Sequence, residues 1–177
     1  MPKYVAFLRA INVGGHTVKM DHLRGLFEAV GFTNVETFIA SGNVIFDSPS
    51  KNTPAIERKI EKHLEETLGY EVATFVRATS ELAGVADYKP FDESELKQGT
   101  LYIGFLADQP GKQAIQKLMS FATDVDNFDV KGREIFWLCC TKFSDSKFSG
   151  ALLEKTLGMR TTLRNSNTVK KLAAKYS

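Results

Sequence analysis

The chain has 177 residues, 43% of them hydrophobic and 25% charged, which is the balance of a folded chain of one domain or two small fused halves and excludes a large multidomain enzyme or a disordered segment. The longest apolar runs, residues 5–8 and 135–140, are far short of the roughly 20 residues that span a bilayer, so a membrane protein is excluded. The net charge of +2 is unevenly spread: residues 1–141 carry 15 basic against 19 acidic side chains, and residues 142–177 carry 8 against 2, a skew that favours an anionic partner.

Residues 4–13 are rich in Val, Phe, Leu and Ile and predict a buried strand ending at Gly14-Gly15. Met20, Leu23, Leu26, Phe27 and Val30 recur at helical spacing, with Gly31 where a left-handed cap is wanted. Residues 35–40 and 44–46 are two β-rich runs around Ser41-Gly42-Asn43, which predicts a hairpin. Thr53-Pro54 opens a helix with Thr53 as cap, Ile56, Ile60, Leu64 and Leu68 form its inner face, and Gly69 ends it before a strand over 71–76. This gives the order β-α-β-β-α-β.

A short helix over 80–86 and a polar connection over 88–98 lead to a second passage through the same order. Residues 101–106 predict a strand, Ala114, Ile115, Leu118 and Phe121 a helix, and 124–130 with 134–140 a hairpin around Gly132-Arg133. Ser146 is placed to cap a helix in which Phe148, Leu152 and Thr156 share a face and which Gly158 stops. A short strand over 161–163 follows. Val169, Leu172, Ala173 and Tyr176 then mark one extra amphipathic helix. The expected fold is α+β: two tandem ferredoxin-like units, residues 1–87 and 99–177, joined by the connection 88–98 and closed by the C-terminal helix.

Candidate sites follow from residues able to receive an anion. Adjacent glycines at 14 and 15 let backbone N–H groups approach a phosphate, as in anion-binding nests, and a turn needing positive φ explains them equally well. Neither G-x-G-x-x-G nor G-x-x-x-x-G-K-[ST] is present. Arg9 and Asn12 belong to the end of the same strand, where Asn12 can orient a ligand or close the loop on its own backbone. Ser41 and Asn43 stand at a hairpin turn at a sheet end, facing solvent or ligand.

The strongest constellation is Arg164-Asn165-Ser166-Asn167-Thr168, between the last strand and the last helix. Asn165 or Ser166 can serve as N-cap, so the positive end of the helix dipole points outward and attracts anions. Arg164 and Arg160 add forked donors suited to phosphate, and Lys170 and Lys171 widen the field. Ordinary capping with solvated cations accounts for the same residues.

Other constellations carry no chemistry. The three histidines have no zinc-ligand spacing, so no metal and no cofactor are expected. Ser144-Asp145-Ser146-Lys147 spells S-x-x-K without its companion motifs, and Asp124, Asp126 and Asp129 lack the glycine and terminal glutamate of a calcium loop, which makes them strand-surface charges. Cys139-Cys140 cannot build a disulfide framework, strand alternation puts one thiol inward and one outward, and a reducing cytoplasm is expected. The N-terminus lacks a signal-like segment, so secretion is not expected. No nucleophile and base pair can be named, and no reaction follows from the residues.

The motifs Leu8-Arg9-Ala10-Ile11-Asn12-Val13-Gly14-Gly15, Ser41-Gly42-Asn43-Val44-Ile45-Phe46, Gly132-Arg133-Glu134 and Thr162-Leu163-Arg164-Asn165, with Thr168 and Lys171-Leu172, resemble the bacterial DUF 1697 family over nearly the whole chain. The resemblance implies the duplicated ferredoxin-like architecture and supplies no activity. Ala10 stands where that family commonly has glycine and Ser166 where it commonly has tryptophan, which removes a stacking platform for a nucleobase. The functional expectation is therefore a protein that binds a phosphate-bearing small molecule or nucleotide where Gly14-Gly15 meets the Arg164-Asn165 helix start. A nucleic-acid module using the basic C-terminal region, or a protein-interaction module without catalysis, is the alternative.

Overall fold

The structure, a computed structural model, describes residues 1–9, 11, 17–38, 42–142, 146 and 148–176. It comprises two compact units: Met1–Leu82 with Tyr176, and Ala83–Lys175. Among the described residues no helix is long and apolar enough to cross a membrane.

The first unit contains β1 (Lys3–Leu8), α1 (Met20–Ala29), β2 (Thr33–Thr37), β3 (Asn43–Asp47), α2 (Thr53–Leu68) and β4 (Thr74–Ala78). Its strands pair in the order β2-β3-β1-β4 with every pair antiparallel. This is the split β-α-β arrangement predicted from the element order: β3 separates β1 from β2, and β1 separates β3 from β4. Tyr4, Ala6 and Leu8 alternate along β1 toward the helices, where they join Val44, Phe46 and Val76 in one core with Leu23, Leu26 and Phe27 of α1 and Ile56, Ile60 and Leu64 of α2. Phe46 lies 4.4 Å from Phe32 and 5.6 Å from Phe27, ring centre to ring centre, so three aromatic rings fill the space where α1 turns back into β2.

The α2 N-cap differs by one residue from the sequence reading. Asn52, not Thr53, holds the α2 start: its Oδ1 accepts the Ala55 N–H at 3.1 Å while Pro54 sits inside the first turn. At the other end Gly69, at φ +84°, provides the expected left-handed stop. The strand expected over 71–76 lies instead at Thr74–Ala78, because its ladder with β1 runs from Thr74 opposite Leu8 to Ala78 opposite Tyr4.

After β4 the chain forms α3 (Thr79–Asp87), followed by α4 (Glu93–Leu96). The latter falls within the stretch that the sequence presents as a plain connection. Asp92 and Glu95 form a reciprocal capping box there, an S/T/D-x-x-E pattern legible at residues 92–95.

The second unit adds β5 (Thr100–Leu106), α5 (Lys112–Met119), β6 (Asp126–Lys131), β7 (Glu134–Cys139), α6 (Gly150–Leu157), β8 (Thr161–Asn165) and α7 (Ser166–Tyr176). Its sheet repeats the first, in the order β6-β7-β5-β8. Lys131 opposes Glu134 across the tight Gly132-Arg133 turn, where Gly132 takes φ +59°. Trp137, Ile135 and Cys139 of β7 pack with Leu118 of α5 and Leu153 and Leu157 of α6.

Two local expectations are corrected here. Ser149 rather than Ser146 caps α6, accepting from the Leu152 N–H at 3.2 Å, and the buried residues of that helix are Leu153, Thr156 and Leu157. Asp126 is not a surface charge: it is 3% exposed, and its carboxylate accepts the Trp137 indole N–H at 2.9 Å and the Ser146 hydroxyl at 2.8 Å. Ser146 is thus drawn to a carboxylate twenty residues back along the chain, which local capping rules do not register. Cys139 is buried, with its thiol pushed up by burial, and Cys140 is half-buried.

Candidate functional site

The last strand runs two residues further than its composition suggests. Arg164 and Asn165 lie on β8, because the ladder with β5 continues through Ile103 opposite Arg164 and Tyr102 opposite Asn165. The constellation singled out in the sequence therefore divides into a strand end and a helix start. Asn165 Oδ1 accepts the Asn167 N–H at 2.9 Å, satisfying one of the donors that an α-helix leaves unpaired at its N-terminus. The 11 residues of α7 bury Val169, Leu172 and Ala173 on one side, as their spacing predicts.

Arg164 is turned to structural partners. Its Nη1 donates to Thr162 Oγ1 at 2.7 Å and to the Leu163 carbonyl at 3.0 Å. Desolvation pulls its guanidinium down to about 10. Thr168 is half-buried and Lys171 exposed on α7.

The α7 start borders a cavity of about 610 Å³, a size suited to a small molecule. It is lined by Asn165, Ser166, Asn167 and Lys170 and by the end of α3 with the residues after it, from Val85 to Lys89. The sheet contributes Leu101 and Ile103 of β5 and Phe136 of β7, and α4 contributes Leu96. Three charged side chains line it, Lys89 and Lys170 against Asp87, and all three are solvent-exposed. The cavity thus has an apolar base and a rim of net positive charge beside the positive end of a helix dipole. It is suited to receive an anionic head on a less polar body.

Tyr88, in this lining, is held by several contacts. Its hydroxyl donates to Asp129, its ring centre is 4.8 Å from that of Phe136, and the Lys131 ammonium sits 4.4 Å from the ring centre. The Asp129 hydrogen bond is the main cause that raises the phenol above its ordinary range, followed by burial. Arg164 and Lys171 are not among the cavity residues; Asn165 is.

The remaining expected residues belong to the first unit. Asn12, Gly14, Gly15 and Ser41 lie outside the described residues. Arg9 follows β1, half-buried, with its N–H on the Ala73 carbonyl at 2.9 Å. Asn43 is 2% exposed on β3, and its amide donates to the Phe38 carbonyl at 3.1 Å, which ties the two ends of the hairpin together. Missing from the sequence reading are Asp87, Tyr88, Lys89, Leu96 and the sheet residues. The one signal for them was Tyr88-Lys89-Pro90 directly after a helix, which reads equally well as linker chemistry.

The duplicated fold recurs in a solved structure. The chain matches the conserved bacterial protein SP0830 from Streptococcus pneumoniae with a TM-score of 0.76 at 22% identity, over 99% of this chain and 98% of that one. No match was found among curated proteins. The family described as protein of unknown function (DUF1697) matches residues 1–136, a stretch that takes in all the strands of the first unit and the second unit through the middle of β7 and stops short of β8 and α7. With the match covering well over half of its length, this chain belongs to the DUF1697 family.

Proposed function

We propose that this protein binds a phosphate-bearing small molecule or nucleotide, with the phosphate at the start of α7. The observation that carries the reading is that Asn165, Ser166, Asn167 and Lys170, drawn from the segment with the clearest anion-binding chemistry in the sequence, border a cavity of about 610 Å³. A helix N-terminus favours negative charge by roughly 0.3–1 kcal/mol at an exposed site, and Lys89 and Lys170 add to that field against the single Asp87.

The test is a thermal-shift series with nucleotides and sugar phosphates on the full chain. A ligand at a hundredfold its Kd adds about 2.7 kcal/mol, hence roughly 5 to 11 °C in melting temperature for a chain of this size. Lys170→Ala should shrink the shift while leaving the unliganded melting temperature unchanged. Absence of a shift with every phosphate compound would refute the reading.

A further inference from the structure

The cavity beside α7 has a second property besides its charge. Val85, Ala86, Leu96 and Leu101 are each half-buried in its lining, together with buried Ile103 and Phe136. Apolar surface held in a concavity gains from any ligand that removes it from water, by about 25 cal/mol per Å². An inorganic anion or a free sugar phosphate leaves that gain unrealised.

The aromatic residues of the lining bear on what kind of body fits. They are Tyr88 and Phe136. Phe136 is 1% exposed, so it presents no ring face to a ligand. The Tyr88 ring is engaged by Phe136 and by the Lys131 ammonium, and its hydroxyl by Asp129. Base recognition by stacking needs an aromatic face open to the ligand, and it needs polar groups set against the base edge. The lining residues outside the polar α7 start include instead the aliphatic side chains Val85, Leu96 and Leu101.

We infer that the ligand is an amphipathic phosphate monoester, its phosphate at the α7 start between Lys89 and Lys170 and its apolar body on the Val85, Leu96 and Leu101 surface. This rests on the phosphate-binding reading above and narrows it: the body is apolar, where a sugar phosphate or a stacked nucleotide would be polar.

Calorimetric titration of the full chain with orthophosphate, ribose 5-phosphate and phenyl phosphate, at one ionic strength, separates the two readings. Phenyl phosphate should bind at least tenfold tighter than ribose 5-phosphate. That factor is about 1.4 kcal/mol and corresponds to about 55 Å² of apolar surface removed from water. Leu101→Ser should abolish the preference while leaving ribose 5-phosphate affinity within about twofold, and Lys170→Ala should weaken all three ligands by a common factor. Leu96→Ser, on the short α4, gives the same comparison if Leu101→Ser lowers the unliganded melting temperature. Ribose 5-phosphate binding as tightly as phenyl phosphate, with Lys170 dependence intact, overturns the apolar body and spares the phosphate site. A preference that survives both leucine replacements also overturns it, since the body must then lie elsewhere. Failure of all three to bind overturns the apolar body, and overturns the phosphate site as well when no nucleotide shifts the melting temperature.

Discussion

The Glu57 carboxylate, on α2, accepts the backbone N–H of Val76 on β4 at 2.8 Å, and both groups are buried. β4 ends the strand order of its sheet, so alternate N–H groups along it face away from the ladder. Glu61 accepts from Thr74 at 3.3 Å and Glu81 from Ala78 at 3.2 Å, so the donors at positions 74, 76 and 78 all meet carboxylates. Glu154 does the same for Thr161 on β8, the corresponding edge of the second sheet, at 3.2 Å. An edge closed in this way offers no row of free donors to an incoming strand.

Replacing Glu57 by Ala should therefore cost about 1–3 kcal/mol, the penalty for stranding a buried amide, and lower the melting temperature by roughly 2 to 12 °C. Glu57→Gln retains an accepting oxygen and should lose less than half as much. Scanning calorimetry distinguishes the two, and an Ala variant that melts like the parent would mean that the carboxylate is dispensable at this edge.

The contrast between what the chain order revealed and what it hid has a physical basis. Gly31, Gly69, Gly132 and Gly158 were legible as element ends because all take positive φ, a requirement that is local and that few residues meet. The sheet orders were legible because a β-α-β-β-α-β succession with helices on one face leaves few topologies. The caps fall at Asn52 and Ser149, one and three residues from the expected Thr53 and Ser146, because the phase of each helix is fixed by which residues reach the core. Burial of Asp126 depends on Trp137, which is brought near by the β6 and β7 hairpin register and by no local signal. The site divides the same way: the α7 start was readable from capping chemistry, whereas Leu101, Phe136 and Tyr88 become its neighbours through pairing across the sheet.

Trp137 is the single tryptophan of the chain, so its environment can be followed by fluorescence. Its indole N–H and the Ser146 hydroxyl share the buried Asp126 carboxylate. Asp126→Ala leaves both donors without that acceptor and should cost about 2–4 kcal/mol. Ser146→Ala removes a donor and leaves the indole bond intact, so a loss of about 1 kcal/mol is expected with an unchanged emission maximum. Equal losses from the two variants, by denaturant titration, would show that the indole bond contributes nothing.

Two glycines should respond oppositely to the same substitution. A Cβ at Gly99 would lie 2.5 Å from the Cys139 carbonyl oxygen and 2.9 Å from its carbon, both backbone atoms that cannot step aside. Gly99→Ala should destabilise by about 1–3 kcal/mol through overpacking. At Gly25, exposed within α1, a Cβ would meet nothing within 4 Å, so Gly25→Ala should stabilise by about 0.5–1 kcal/mol by restricting the unfolded chain. Urea titrations of the two variants check both signs.

Stability should also fall in acid through Asp47. Partial burial works to raise its carboxyl, but a hydrogen bond from Asn34 at 2.7 Å and the Lys3 ammonium at 2.9 Å outweigh it and hold it below the ordinary carboxylate range. A folded-state pKa lying below the unfolded one contributes stability that is fully present above about pH 4, the unfolded value, and is lost as the pH falls through the folded value. Asp47→Asn should therefore destabilise by about 1 kcal/mol at pH 7, and the gap between variant and parent should close as the pH is taken to 2. Lys3→Met should reproduce part of the loss at pH 7, since it removes the ion pair and leaves the Asn34 bond. A gap that stays constant from pH 7 to pH 2 would show that the Asp47 charge has no part in the stability of this sheet.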